Sequence, residues 1–243
     1  MMVKMSDGIG RIVEGYNSVI SALENNRVIE LVTLEKNLES KKIKNLLKIA
    51  SQKKIKIVNV KSKNDWKYNS SEYVVAVCTP KKIYKESDIK NIKNTNFIVC
   101  DHIQDTNNIG AIARSAASFE FNVMCIPERR SARLNERTFK IASGGLEKIE
   151  VLEYKSIYSL IKKFKLINVW TIGLDMKGKE KIENFDLGNQ NLAFFIGSEE
   201  KGLSHGLKDK LDNVIRIAMS DDIESLNVSV AAAIAMQHIF IKK

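Results

Sequence analysis

The chain has 243 residues, 44% of them apolar, and a formal charge of +10. That length allows one large domain, or a small domain joined to a medium one, with enough apolar material for a core. No run of about 18 apolar residues occurs, which argues against a membrane span, and residues 1–11 lack an apolar signal core, so a cytoplasmic protein is expected.

Cys78, Cys100 and Cys125 are odd in number and form no CxxC pair. They read as buried thiols in a reducing compartment, neither a disulfide frame nor a zinc site. The charge is unevenly placed. Residues 41–93 hold fifteen lysines, no arginine and four acids, a surplus of +11, and the rest of the chain sums to about −1. A lysine-rich segment without base-reading motifs suits contact with a phosphate backbone. An ordinary solvated surface in a chain rich in Lys, Ile and Asn is the competing reading.

In chain order, residues 11–25 predict a turn and a short helix, 28–34 a strand, and 42–52 an amphipathic helix with lysines on its outer face. Strands follow at 55–60 and 73–78. Together these make a small α/β domain over 1–79. Residues 80–96 are polar, lysine-rich and aperiodic, and read as a linker. From residue 97 strand and helix alternate. Strands are predicted at 97–100, 122–126, 149–152, 168–173, 192–196 and 214–217. Helices are predicted at 108–119, 135–142, 156–166, 203–211 and 226–241. The alternation over 97–243 implies an α/β fold, a mostly parallel sheet with helices on both faces. Ligands bind such sheets beyond the carboxyl ends of the strands.

Three polar loops leave strands in that direction. The first is Asp105-Thr106-Asn107-Asn108-Ile109-Gly110, followed by Arg114. The second is Gly197-Ser198-Glu199-Glu200-Lys201-Gly202. The third runs from Ser220 through Ser225-Leu226-Asn227 into a helix rich in Ala and Val. Ser225 and Asn227 have side-chain oxygens placed to cap that helix. Arg114 offers a fixed cation with a planar donor fork, suited to phosphate. GxGxxG and GxxxxGK[ST] loops are absent, as are CxxC and HExxH, so no metal is expected. His102, His205 and His238 are scattered.

Residues 97–243 resemble the SpoU (TrmH) family of RNA ribose 2′-O-methyltransferases, within the SPOUT class. The resemblance lies in the first two loops and in Ile215-Arg216-Ile217-Ala218-Met219 through Ser225-Leu226-Asn227-Val228-Ser229-Val230-Ala231. Arg130-Ser131-Ala132-Arg133-Leu134-Asn135 resembles the subgroup that modifies a guanosine of large-subunit ribosomal RNA. Residues 12–15 and 22–23 resemble that subgroup's small RNA-binding domain.

This resemblance implies a C-terminal trefoil knot, a homodimer through the knotted domain, and S-adenosylmethionine as cofactor. It places the cofactor against Gly197, Ile217, Met219 and Leu226, and the catalytic and positioning roles on Asn108, Arg114, Glu199, Ser225 and Asn227. The RNA is ribosomal, or alternatively transfer RNA. Thr106 and Ala218 stand where the family usually has Pro, and Asp221 where it has Gly. A decayed, non-catalytic RNA-binding member is the rival that these three positions raise.

Overall fold

The computed structural model describes residues 8–242, apart from 69, 71, 93, 94, 187, 189, 199, 200, 221 and 223. In chain order the elements begin with β1 (Ile12–Glu14), α1 (Tyr16–Glu24), β2 (Val28–Leu34), α2 (Lys41–Gln52), β3 (Lys56–Val60) and β4 (Val74–Cys78). Next come β5 (Ile83–Lys85), β6 (Phe97–Cys100), α3 (Thr106–Ser118), β7 (Val123–Pro127), α4 (Glu136–Ala142), α5 (Gly145–Lys148) and β8 (Glu150–Tyr154). The chain closes with α6 (Ile157–Leu166), β9 (Trp170–Leu174), β10 (Glu180–Lys181), β11 (Leu192–Ile196), α7 (His205–Lys208), β12 (Asn213–Arg216) and α8 (Val228–Lys242). No helix among the described residues is long and apolar enough to cross a membrane.

Two compact units result. Unit 1 is Met1–Ile83 with Leu134–Lys148, and unit 2 is Tyr84–Arg133 with Ile149–Lys243. Unit 1 holds a four-stranded sheet in the order β1-β4-β2-β3. The sequence reading treats 1–79 as a domain of its own and 97–243 as another. In the structure residues 134–148 leave the second stretch and complete unit 1. The reason is burial. Phe139 and Leu146 are fully enclosed, and Ser18 Oγ donates to the Phe139 carbonyl at 2.9 Å. Gly10, at φ 67°, lies where a Cβ would meet the Phe139 ring at 2.5 Å, so only glycine lets the ring approach.

The buried carboxylate of Glu147 takes Arg27 Nε at 2.8 Å and Nη2 at 2.5 Å. Arg27 also donates to the carbonyls of Thr79 and Gly10. That fork ties α5 to the start and end of the first segment. Cys78 is buried in this unit, and burial pushes its thiol up to about 12. It is a packing residue at neutral pH.

Unit 2 holds an eight-stranded sheet, β10-β12-β9-β11-β6-β7-β8-β5. The pairs β6/β7, β7/β8, β6/β11, β9/β11, β9/β12 and β10/β12 are all parallel. The all-apolar runs of β6, β7 and β11 are buried along their full length, as a sheet covered on both faces requires. Phe164 of α6 packs edge-on against Phe97 at 4.8 Å and Phe195 at 6.2 Å. The α/β fold read from the alternation is therefore present.

Four details differ from the sequence reading. Residues 80–96 form no structureless linker. They make β5 and a 3-10 turn at Glu86–Asn91, anchored by buried Ile89 and by an ion pair of Lys85 with Glu153 at 2.5 Å. The Leu203, Leu207, Leu211 spacing predicts a helix over 203–211, but only His205–Lys208 is helical. The other two leucines reach the core from the flanking turns. The three-residue β1 and the two-residue β10 are too short to leave a period. Finally α3 begins at Thr106, two residues early, because Asp105 caps it by accepting the Asn107 amide at 2.8 Å.

Candidate active site

The register of unit 2 sets the site. Cys100 lies opposite Ile196, Ile196 opposite Leu174, and Leu174 opposite Ile215. The chain therefore leaves β6, β11, β9 and β12 along one line at their carboxyl ends. Loops starting near residues 101, 197, 175 and 217 crowd the same edge, where α/β sheets bind ligands.

Two glycines let these loops approach. A Cβ on Gly197 would fall 2.1 Å from the carbonyl carbon of Gly202, and one on Gly178 would fall 2.4 Å from that of Ile215. Both contacts are with backbone, which cannot swing aside. The loop after β11 closes on itself through the Gly202 amide to the Ser198 carbonyl at 2.9 Å. The loop after β9 is held by the Asp175 amide to the Ile215 carbonyl at 3.0 Å. Arg216 Nη1 grips the carbonyls of Gly178 at 2.5 Å and Lys179 at 3.0 Å.

Between these loops lies a cavity of about 420 Å³, a size that takes a nucleoside-sized ligand. Gly197, Ile217, Met219 and Leu226 all line it, as does Ser225. Its apolar surface continues through Leu174, Ile196, Val228 and Ala231.

Asn227 lies between two lining residues and caps α8. Its Oδ1 accepts the Ser229 amide at 2.9 Å, the Ser229 hydroxyl at 2.6 Å and the Val230 amide at 3.4 Å. Its Nδ2 donates to Oδ1 of Asn108 at 3.2 Å. Two residues 119 apart in sequence thus share one hydrogen bond, and α3 packs along α8 beneath them. Arg114 stands on the exposed side of α3, outside the cavity lining, with no ion pair among the described residues. Glu199 and Asp221 lie outside the described residues.

Sequence reasoning missed Asp175 and Lys208. Both line the cavity and pair at 3.1 Å, nearly enclosed on the Asp175 side. Asp175 could have been found, because it follows a predicted strand at its carboxyl end, as the other loops do. Lys208 carried no signal beyond its helical turn.

The loop after β6 is braced from below. Tyr154, buried in β8, donates to Asp101 Oδ1 at 3.2 Å and to the Cys100 carbonyl at 3.3 Å. Burial pushes the Asp101 carboxyl up, and neighbouring His102 and the Tyr154 hydroxyl pull it partly back. Arg129, Arg130 and Arg133 are exposed on the adjoining loop, which the Ala132 amide pins to the Ile103 carbonyl at 2.9 Å. Thr106 occupies the first helical position of α3. Proline is favoured there but not required, since that amide needs no intrahelical partner.

A sequence profile described as the SpoU rRNA Methylase family matches residues 95–237, more than half of the chain. The chain belongs to this family. A second profile, for RNA 2′-O ribose methyltransferase substrate binding, matches residues 12–83. Among relatives, YacO of Bacillus subtilis (strain 168), named for the TrmH family of tRNA/rRNA methyltransferases, is 29% identical over 239 residues and 95% of each chain. A TrmH-family relative from Staphylococcus aureus (strain MSSA476) is 28% identical over 96% of each.

The SpoU methyltransferase AviRb of Streptomyces viridochromogenes, solved with AdoMet, superposes with a TM-score of 0.77 at 20% identity, covering 95% of this chain and 89% of its own. An AdoMet-bound rRNA methyltransferase of Sinorhizobium meliloti gives 0.73 at 17%, covering 93% and 85%. At such identities the structural likeness speaks for the fold alone.

Proposed function

We propose that this SpoU-family protein transfers a methyl group from S-adenosylmethionine to the ribose 2′-oxygen of a guanosine in large-subunit ribosomal RNA. The observation that carries this is the joining of Asn108 to Asn227 beside the cavity that Gly197, Ile217, Met219, Ser225 and Leu226 line. The RNA assignment draws on the family, and the ribosomal one on the Arg130–Asn135 resemblance. Transfer RNA is the alternative, favoured by the paired naming of the relatives.

The cavity fits the cofactor by its own chemistry. Leu226, Ile217 and Met219 offer apolar surface to an adenine ring. The backbone of Gly197 can approach closely because no side chain intervenes. Asp175 and Glu224 line the cavity beside Lys177, Lys201 and Lys208, with Asp175 paired to Lys208, so the lining offers both signs of charge to the ammonium and carboxylate of the cofactor's amino-acid end. Bound there, S-adenosylmethionine supplies an electrophilic methyl. The chain's own residues then orient the acceptor. Asn108 and Asn227 fix the mouth of the site, so that the 2′-oxygen is held in line. Arg114 clamps the adjacent phosphate and favours the developing alkoxide. Its guanidinium stays charged, so in this reading the proton is relayed towards solvent by way of Ser225, Asn227 or the RNA phosphate. Glu199 completes the group in this reading.

The surface of α8 supports a homodimer in this reading. Val230, Ile234, Phe240 and Ile241 are exposed at 41–63%, and a helix apolar on its outer side calls for a covering partner. A second copy through this helix meets that need, and a knotted C-terminal segment accompanies it in the family pattern.

The test is Arg114→Ala. Methyl transfer falls by about a hundredfold or more, the range for a lost charge-stabilising donor, while S-adenosylmethionine affinity by calorimetry is unchanged. If only RNA affinity drops and transfer at saturating RNA persists, Arg114 has no part in the chemistry.

A further inference from the structure

Unit 1 has a cavity of its own, about 570 Å³, bordered by the first residue of α1, the start of α2 and the entry to β4. Tyr16 and Tyr73 are in its wall, together with Lys36 and Lys42. The ammonium of Lys42 lies 5.5 Å from the centre of the Tyr16 ring, and those of Lys36 and Lys63 lie 5.2 and 5.3 Å from that of Tyr73. These are all the cation–ring contacts among the described residues. Their number is ordinary, since proteins show roughly one per 70–80 residues. Their gathering on two rings at one cavity is not.

The carboxylate in the wall, Glu72, accepts the Tyr16 amide at 3.0 Å. No salt bridge between Glu72 and these lysines is found among the described residues. Lys36 and Lys63 instead converge on the same Tyr73 ring, at 5.2 and 5.3 Å from its centre. Two cations held together without an acid are relieved by an incoming anion.

Tyr73 adds a second sign. It has φ 48°, a left-handed conformation that a bulky aromatic residue adopts only under constraint. Trp66 packs edge-on against it at 5.6 Å. The ring is thus fixed at a backbone cost, half-exposed at the cavity. The lysines over it have flexible stems that can move aside. An aromatic face with surrounding ammonium groups is what an unpaired base and its phosphates select. A fully paired helix hides its base faces.

We propose that this cavity binds one unpaired nucleotide of the RNA substrate, other than the one methylated, with its base on Tyr16 or Tyr73 and its phosphates on Lys36, Lys42 and Lys63. This rests on the reading of the protein as an RNA methyltransferase and goes beyond it, by naming the form of RNA that unit 1 takes and the residues that take it.

The experiment uses the whole chain and fluorescence anisotropy. The probes are a labelled oligouridylate of about 12 nucleotides, long enough to span a typical single-strand site, and an RNA duplex of equal length. At least one of Tyr16→Leu and Tyr73→Leu, the one whose ring carries the base, weakens single-strand binding about tenfold, and both leave duplex binding unchanged. Tyr73→Phe keeps the ring and the affinity. The exposed pair Lys36→Gln and Lys63→Gln weakens single-strand binding and lessens its salt dependence by about two charges.

Should a tyrosine variant misfold, 4-thiouridine photocrosslinking to the unaltered protein substitutes, with label expected on the peptides carrying Tyr16 or Tyr73. Single-strand affinity untouched by the leucine variants, or crosslinks confined to unit 2, overturns the pocket and leaves the RNA reading standing. Failure of the unaltered chain to bind either RNA overturns both.

Discussion

Asn227 does two jobs that substitution can separate. Its Oδ1 caps α8 through the Ser229 and Val230 amides, and its Nδ2 reaches Asn108. Replacing Asn227 by Ala removes both. The lost cap costs about 0.5–2 kcal/mol, and the amide–amide bond about 0.5–1.5 kcal/mol more. For a chain of this size each kcal/mol lowers Tm by about 2–4 °C, so Asn227→Ala should melt roughly 2–14 °C lower. Asn227→Ser restores a capping oxygen of similar strength but cannot reach Asn108.

Stability should then return to within about 1–6 °C of the unaltered chain, as expected for one missing neutral hydrogen bond. Methyl transfer should not return. With the mouth of the site no longer fixed, a misplacement near 1 Å costs about a hundredfold. The assay is thermal melting beside tritiated-methyl transfer to RNA. A serine variant with full stability and full rate refutes the claim that the Asn108–Asn227 bond positions the acceptor.

The remaining predictions concern the frame. Arg27→Met strands the fully enclosed Glu147 carboxylate and should cost about 3–5 kcal/mol in urea unfolding. The double change with Glu147→Leu recovers most of it, whereas a single-variant loss below about 1 kcal/mol contradicts the closure of unit 1 by α5. Asp212 accepts the Thr171 amide at 2.9 Å and hydroxyl at 2.6 Å, with Lys165 at 3.0 Å.

Partial burial alone would raise the Asp212 carboxyl, but these partners outweigh it and hold the carboxyl below its ordinary value. A lowered pKa stabilises the fold above the unfolded value, near 4, and that contribution fades as pH falls through the folded value. The stability gap between the unaltered chain and Asp212→Asn, about 1 kcal/mol after solvent screening and so about 2–4 °C in Tm, should close as pH falls below about 4. A gap constant from neutral to acid pH contradicts this account.

Much of unit 2 was readable because its signals are local. Phe97-Ile98-Val99-Cys100 and Leu192-Ala193-Phe194-Phe195-Ile196 are unbroken apolar runs bounded by polar loops, which only a doubly covered sheet accommodates. Ser156 and Asn227 supply side-chain oxygens at the starts of two expected helices, and both cap them. The cavity lining at Gly197, Ile217, Met219 and Leu226 came from the family pattern, since no periodicity distinguishes those residues.

What was hidden depends on distant partners. Nothing in Glu136–Ala142 says that Phe139 seats against Gly10, or that Glu147 waits for Arg27. The burial of Ile89 within a lysine-rich stretch is invisible until the sheet edge beneath it exists.

The central claim is that these strand-end loops hold a methyl donor against a ribose hydroxyl. Incubation of the purified chain with methyl-labelled S-adenosylmethionine and ribosomal RNA, then digestion to nucleosides and mass spectrometry, tests it most directly. The account predicts label in a 2′-O-methylguanosine, abolished by Arg114→Ala. Label on a base, or none in either ribosomal or transfer RNA, contradicts it.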